Sequence, residues 1–131
     1  EKTFSVPQAR RKDKKPYPHV VPLSRQLLRL LERLDTSGDY IFQGKGKAAV
    51  YSCTVLRAVK RASGRDDMTL HGMRSTFSDW CAKNEKNFLV SEKQLMHAVG
   101  NTVFQAYQRD DLLEQRRVLM QEWADFLLPN A

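Results

Sequence analysis

Two residues three apart, His71 and Arg74, stand two and five positions after Thr69, a residue suited to capping a helix. On a helix that spacing projects both side chains from one face, in the first turns, where the dipole and the unpaired N–H groups favour an anion. An arginine fork can grip two phosphate oxygens while an imidazole beside it donates to a third or moves a proton. His-x-x-Arg is a common pair on solvated helix faces, and two further residues sharpen it. His97 falls at the end of another helical run, and Tyr107 follows ten residues later. A tyrosine most often packs its ring and hydrogen-bonds its hydroxyl. A tyrosine attacking a phosphodiester, however, needs cations at the non-bridging oxygens and an acid at the leaving oxygen, and these side chains supply that set.

The elements that must position them can be read along the chain. Thr3-Phe4-Ser5-Val6 alternates as a half-buried strand does, and His19-Val20-Val21-Pro22-Leu23 is a second extended stretch. The basic run Arg10-Arg11-Lys12-Asp13-Lys14-Lys15 lies between them, which predicts a hairpin with a cationic turn and Lys12 near its tip. Ser24 should cap a helix with Leu27, Leu28, Leu31 and Leu34 on one face. Gln43-Gly44-Lys45-Gly46-Lys47 reads as a basic loop, either plain surface or a contact to DNA phosphates. Ser52 is expected to cap a helix bearing Val55, Leu56 and Val59, closed at Ser63-Gly64. Thr69 should cap a helix to about Lys83 whose core face is Met73, Phe77 and Trp80. Ser91 with Gln94 suggests a capping box for a helix ending near His97, Asn101 starts a short helix through Tyr107, and Asp110-Asp111 introduce a last one from Leu112 to about Leu128. A strand pair followed by about six helices makes a mainly α, α+β single domain over 1–131, with a hairpin at 1–23 and a helical portion at 24–131.

With 131 residues, the chain can bury one core. Twenty-two Lys and Arg against fifteen Asp and Glu leave a net charge of +7, which favours polyanions, nucleic acid first. No apolar run approaches a membrane span and no leader peptide opens the sequence, so a membrane or secreted product is not expected. Cys53 and Cys81, isolated from each other and from the histidines, read as buried free thiols. The carboxylates do not cluster with the histidines, so no metal or other cofactor is expected.

Three stretches carry a family resemblance: Thr69-Leu70-His71-Gly72-Met73-Arg74-Ser75-Thr76-Phe77, then Leu95-Met96-His97-Ala98-Val99-Gly100-Asn101, then Val103 through Ala106-Tyr107-Gln108-Arg109. They resemble the catalytic domain of the tyrosine recombinases, specifically the phage and prophage integrases. The flanks, Val6-Pro7 to Lys12 with Pro18 to Ser24, and Arg116 to Met120 with Trp123-Ala124, resemble the same domain. The resemblance implies site-specific recombination, in which Tyr107 attacks a DNA phosphodiester to give a 3′-phosphotyrosyl link and a free 5′-hydroxyl. Arg74 would bind the scissile phosphate, with His71 beside it and His97 contacting it from the next helix. Lys12 would protonate the leaving 5′-oxygen, with Lys14 and Lys15 as alternatives on the same turn. Arg10, Arg11, Lys14, Lys15, Lys45 and Lys47 would touch the DNA backbone.

The family's first arginine lies ahead of the strand pair, in a segment this chain does not contain. The resemblance therefore implies the C-terminal part of a longer integrase, truncated on its N-terminal side and weakly active or inactive alone. Expected partners are double-stranded DNA at attachment sites and other recombinase protomers, with no membrane and no small-molecule substrate, in the cytoplasm of a bacterial host. A rival reading is a basic DNA-binding module in which the same cations only hold phosphates. Trp123, Phe126, Leu127 and Leu128 could dock the last helix on another protomer or close this domain's own core. Arg109, Arg116 and Arg117 are expected to form surface ion pairs with Asp110, Asp111 and Glu114.

Overall fold

The alternating stretch and the extended apolar one pair as strands as expected, although the first is exposed, Phe4 included at 51%, and not half-buried. In the computed structural model, which describes residues 2–11, 15–34, 37–44, 46, 48–97, 99–100 and 110–129, β1 (Thr3–Val6) runs antiparallel to β2 (His19–Pro22), with Thr3 opposite Pro22 and Val6 opposite His19. A 3-10 turn over Gln8–Arg10 leads out of β1. Arg11 then turns inward: it is only 6% exposed, donates from Nη1 to the Tyr17 carbonyl at 3.0 Å, and lies 5.0 Å from the centre of the Tyr17 ring. This corrects its assignment to the DNA backbone. The returning Pro16-Tyr17-Pro18 segment offers an acceptor and a π face, which an arginine uses better than a phosphate contact it would have to reach from inside.

Five α-helices follow among the described residues. Ser24 caps α1 (Arg25–Glu32) by accepting from the Leu27 amide, as expected. The residue α1 buries is Gln26, however, while Leu27 and Leu30 stay substantially exposed. The first turn of α1 docks through a polar network rather than through the leucines. α2 (Ser52–Ser63) begins one residue after its N-cap, so Tyr51 and not Ser52 holds the cap position, and no side chain bonds there. Gly64 ends α2 in the left-handed conformation that a residue with a Cβ resists. No residue of α2 is buried, and Cys53 on it is exposed, contrary to the expectation of two buried thiols. Val55 and Val59 of α2, with Leu34, Ile41 and Phe42, instead line an open apolar pocket of about 680 Å³.

Thr69 caps α3 (Leu70–Lys83), its Oγ1 accepting from Gly72 N at 2.9 Å. Phe77 and Trp80 enter the core, whereas Met73, one turn nearer the N-terminus, is 38% exposed. α4 (Phe88–Gln94) starts earlier than the Ser91–Gln94 pattern suggests. Asn87 is the cap and accepts from the Leu89 and Val90 amides, while Ser91 is buried inside the helix, bonding back to the Phe88 carbonyl. α5 (Leu113–Leu127) matches the expected last helix to within a residue, and Leu112 precedes it at φ 49°. The helix expected from Asn101 through Tyr107 lies outside the described residues.

The core is the meeting of α3, α4 and α5. Phe77, Trp80, Cys81, Val90, Leu95 and Leu119 are buried together, with Leu112, Met120 and Trp123 packed against them. Trp123 closes an aromatic cluster, 5.1 Å from Trp80 and 5.5 Å edge-on to Phe77, and so serves this domain's own core. Phe126 stacks on Trp123 at 5.6 Å yet, like Leu127, stays more than half exposed. α5 also carries α1 and β2 on its flanks, which makes it the element that ties the hairpin to the helices.

A buried arginine fastens that junction. Arg116, expected in a surface ion pair, is 0% exposed. Its Nε donates to the Asp111 carbonyl at 2.8 Å, Nη1 to Val20 O at 2.8 Å and to Gln94 Oε1 at 3.2 Å, and Nη2 to Asp111 Oδ2 at 2.6 Å. One side chain thereby joins β2, α4 and the lead-in to α5. Burial pushes its guanidinium below the ordinary value, and the Asp111 carboxylate opposes that shift. Arg117 does pair with Glu114, at 3.3 Å. Arg109 lies outside the described residues.

Candidate phosphate-binding site

Arg74 emerges from the second turn of α3 and is exposed, but its position is fixed from α4. Its Nη2 donates to the Leu95 carbonyl at 2.6 Å and lies 3.2 Å from His97 Nε2. Both contacts come from the chain reversal that ends α4. Met96 takes the left-handed conformation at φ 55°, its amide donates to Lys93 O, and the His97 amide donates to Glu92 O at 2.9 Å. That pair of bonds is a Schellman closure, with methionine where glycine is usual. It exposes the Leu95 carbonyl to Arg74 and stacks His97 over Glu92, whose Oε2 lies 2.9 Å from His97 Nδ1.

The chemistry of the contacting atoms assigns the protons. A guanidinium has no acceptor, so the Arg74–His97 contact is a hydrogen bond only if Nε2 carries its lone pair. The imidazole proton then sits on Nδ1, where the Glu92 carboxylate accepts it. Both of Arg74's side-chain contacts run through Nη2, which leaves Nε–H and the Nη1 hydrogens without partners among the described residues. Nε–H and the Nη1 hydrogens lie on different edges of the guanidinium, so each can donate singly to a phosphate oxygen, while a bidentate grip would also draw on Nη2.

The structure thus brings Arg74 and His97 together, as the sequence suggests, and adds Glu92, which the sequence reading did not single out. The available signal was a carboxylate five residues before a histidine just past a helix end, a spacing that becomes a contact only through the Schellman reversal. His71 lies on the same helix, one turn before Arg74 and exposed, and its ring makes no hydrogen bond among the described residues. Arg10 is exposed at the end of the 3-10 turn. Lys15 is half-buried with Nζ 5.8 Å from the Tyr17 ring centre. Tyr107, Lys12, Lys14, Lys45 and Lys47 lie outside the described residues.

Asp110 and Asp111, which lead into α5, are anchored from α4 and α5. Lys93, 9% exposed on α4, donates to the Asp110 carbonyl, and Arg116 holds both the carbonyl and the carboxylate of Asp111. Burial, helped by the charge of Lys15, holds the Lys93 ammonium below its ordinary value. Among the described residues, no group of three His, Cys, Asp or Glu is placed to hold a metal ion, and no helix is long and apolar enough to cross a membrane.

Comparison with known proteins gives this arrangement a family. Residues 1–113 match the phage integrase family. The prophage integrase IntA of Escherichia coli K12 is 40% identical over 131 aligned positions, covering 95% of this chain and 31% of that protein. The integrase of Shigella phage Sf6 is 33% identical over 115 positions, 83% of this chain and 30% of the relative, and that of Enterobacteria phage P4 is 37% identical over 123, covering 86% and 28%. The chain spans less than a third of the length of these relatives. No solved structure matches it. With the hairpin, the helical order and the His-x-x-Arg turn in place, the match over most of its length makes this chain a member of the phage integrase family.

Proposed function

We propose that this chain is the part of a tyrosine recombinase that carries out site-specific DNA strand breakage and rejoining, in integration and excision of phage or prophage DNA. The observation that carries the reading is Arg74, held from two sides at the head of α3 with three donors unpartnered among the described residues. In the reaction, Tyr107 Oη gives its proton to His71 as it attacks the scissile phosphorus, and the bond to the 5′-oxygen breaks. That oxygen takes its proton from Lys12, or from Lys14 or Lys15 on the same turn. The phosphotyrosyl ester keeps the energy of the bond it replaces, so a 5′-hydroxyl from another strand can reverse the step without an external energy source. Arg74 and His71 neutralise the charge that builds on the non-bridging oxygens. The DNA is duplex attachment-site DNA in the bacterial cytoplasm, and strand exchange needs other recombinase protomers. Arg11 is committed to Tyr17 and does not replace the family's first arginine, so this chain alone forms the adduct poorly. Losing one such donor costs on the order of 3 kcal/mol of transition-state stabilisation.

The test traps the adduct on duplexes with a bridging 5′-phosphorothiolate, whose thiolate leaves without a proton from lysine. Adduct is expected with the wild-type chain and absent with Tyr107→Phe, while duplex affinity stays equal for both and falls steeply between 50 and 200 mM salt, as counterion release requires. Equal binding with no adduct, from this chain and from a longer parent that carries the first arginine, would instead favour the non-catalytic module.

A further inference from the structure

Glu92 has no part in the chemistry described above, yet it makes the closest contact to the one histidine that touches Arg74. Its Oε2 lies 2.9 Å from His97 Nδ1, and its side chain is only 15% exposed against 48% for the histidine. The same residue's backbone carbonyl accepts the His97 amide. Glu92 therefore holds His97 twice, once by the main chain and once by the ring, and the ring in turn meets Arg74 Nη2 at 3.2 Å.

We infer that Glu92 is a positioning residue that fixes His97 as the Nδ1–H tautomer, so that Nε2 accepts from Arg74 and aims the guanidinium's remaining donors at an incoming phosphate. An isolated imidazole is free to place its proton on either nitrogen. If it placed it on Nε2, that N–H would point at a guanidinium N–H, donor against donor, and Arg74 would lose one of the two contacts that orient it. A carboxylate on Nδ1 removes that alternative, in the way that outer partners fix the tautomer of metal-bound histidines. In this state His97 acts on Arg74, and the free donors for phosphate are those of Arg74 itself. The inference rests on the phosphate-binding reading of Arg74 only for its consequence; the tautomer can be tested without it.

The experiment is long-range proton–nitrogen correlation NMR of the 15N-labelled chain at pH 8, where an ordinary imidazole is neutral. Wild type is expected to show His97 as Nδ1–H. Glu92→Ala and Glu92→Leu, the second preserving bulk, should raise the share of Nε2–H, and Glu92→Gln, whose Oε1 can still accept, should restore Nδ1–H. A merely structural role for Glu92 would alter stability without changing that share. Nε2–H in the wild type, no rise of its share in Ala or Leu, or failure of Gln to restore the tautomer each overturns the inference. Inorganic phosphate titrated into the same samples separates the two readings. Affinity at the Arg74 side chain is expected to fall on the order of tenfold in Glu92→Leu. An unchanged affinity overturns the claim that Glu92 acts through to Arg74. A wild-type chain with the expected tautomer whose Arg74 resonances ignore phosphate overturns the phosphate reading and leaves the positioning of His97 standing.

Discussion

Replacing Arg116 by leucine should be among the most damaging single changes in this chain. The side chain is fully buried and donates to four acceptors on three elements: the carbonyls of Asp111 and Val20, Gln94 Oε1, and the Asp111 carboxylate. Leucine fills some of the volume but leaves those acceptors facing apolar surface. Removing one member of a buried ion pair costs about 3–5 kcal/mol, largely because the partner charge stays behind. The Asp111 side chain is 26% exposed and can draw some water, which places the loss toward the lower end, at about 3 kcal/mol. For a chain of this size that lowers the melting temperature by roughly 10 °C. Urea unfolding followed by tryptophan fluorescence should show the midpoint falling with an unchanged slope. Arg116→Lys keeps the charge but not the fork, so it should lie between wild type and leucine and serves if the leucine variant fails to fold. Arg65→Ala, which breaks an exposed pair with Asp67, should leave the midpoint nearly unmoved. A cost below about 1 kcal/mol for Arg116→Leu, the range of an exposed ion pair, would refute the view that this arginine fastens the hairpin to the helices.

Thr69→Ala removes the cap on α3 and should cost about 1 kcal/mol, with faster hydrogen exchange at the Gly72 amide that Thr69 now accepts; unchanged exchange there would contradict the capping geometry. Burial pushes the Cys81 thiol up to about 11, while Cys53 is exposed, so iodoacetamide at pH 8 should label the native chain once, at Cys53, by mass spectrometry of its peptides. Hydrogen bonds from Gln26 and then Gln121, with the charge of Arg25, hold the Asp125 carboxyl below its ordinary value. A depressed carboxylate stabilises the fold above its unfolded-state pKa and loses that contribution as pH falls through the lower folded value. The wild type should therefore exceed Asp125→Asn in stability at pH 7, with the gap closing below about pH 4; a gap that stays constant with pH would show that only the shape of the side chain matters.

The sequence by itself determined the local elements and the kinds of residue that do chemistry. Strand alternation, the caps Ser24 and Thr69, the stop at Gly64 and the His-x-x-Arg spacing depend on neighbours within a few positions, so their physics is written along the chain. Some of the misses, at α1 and at Arg116, were decided by partners distant in sequence. Leu27, Leu28, Leu31 and Leu34 were expected to form the apolar face of α1, but Leu27 stays exposed and α1 docks on α5 through Gln26, Gln121 and Asp125, about a hundred residues away. Arg11 and Arg116 look like surface cations until Tyr17, Val20 and Gln94 surround them. The site shows the same division. His97 and Arg74 were legible as residue types, but the Schellman reversal at Met96 brings the imidazole to the guanidinium and places Glu92 behind it. Proton placement in that triad follows from donor and acceptor atoms within about 3 Å of one another, a proximity that only tertiary structure creates.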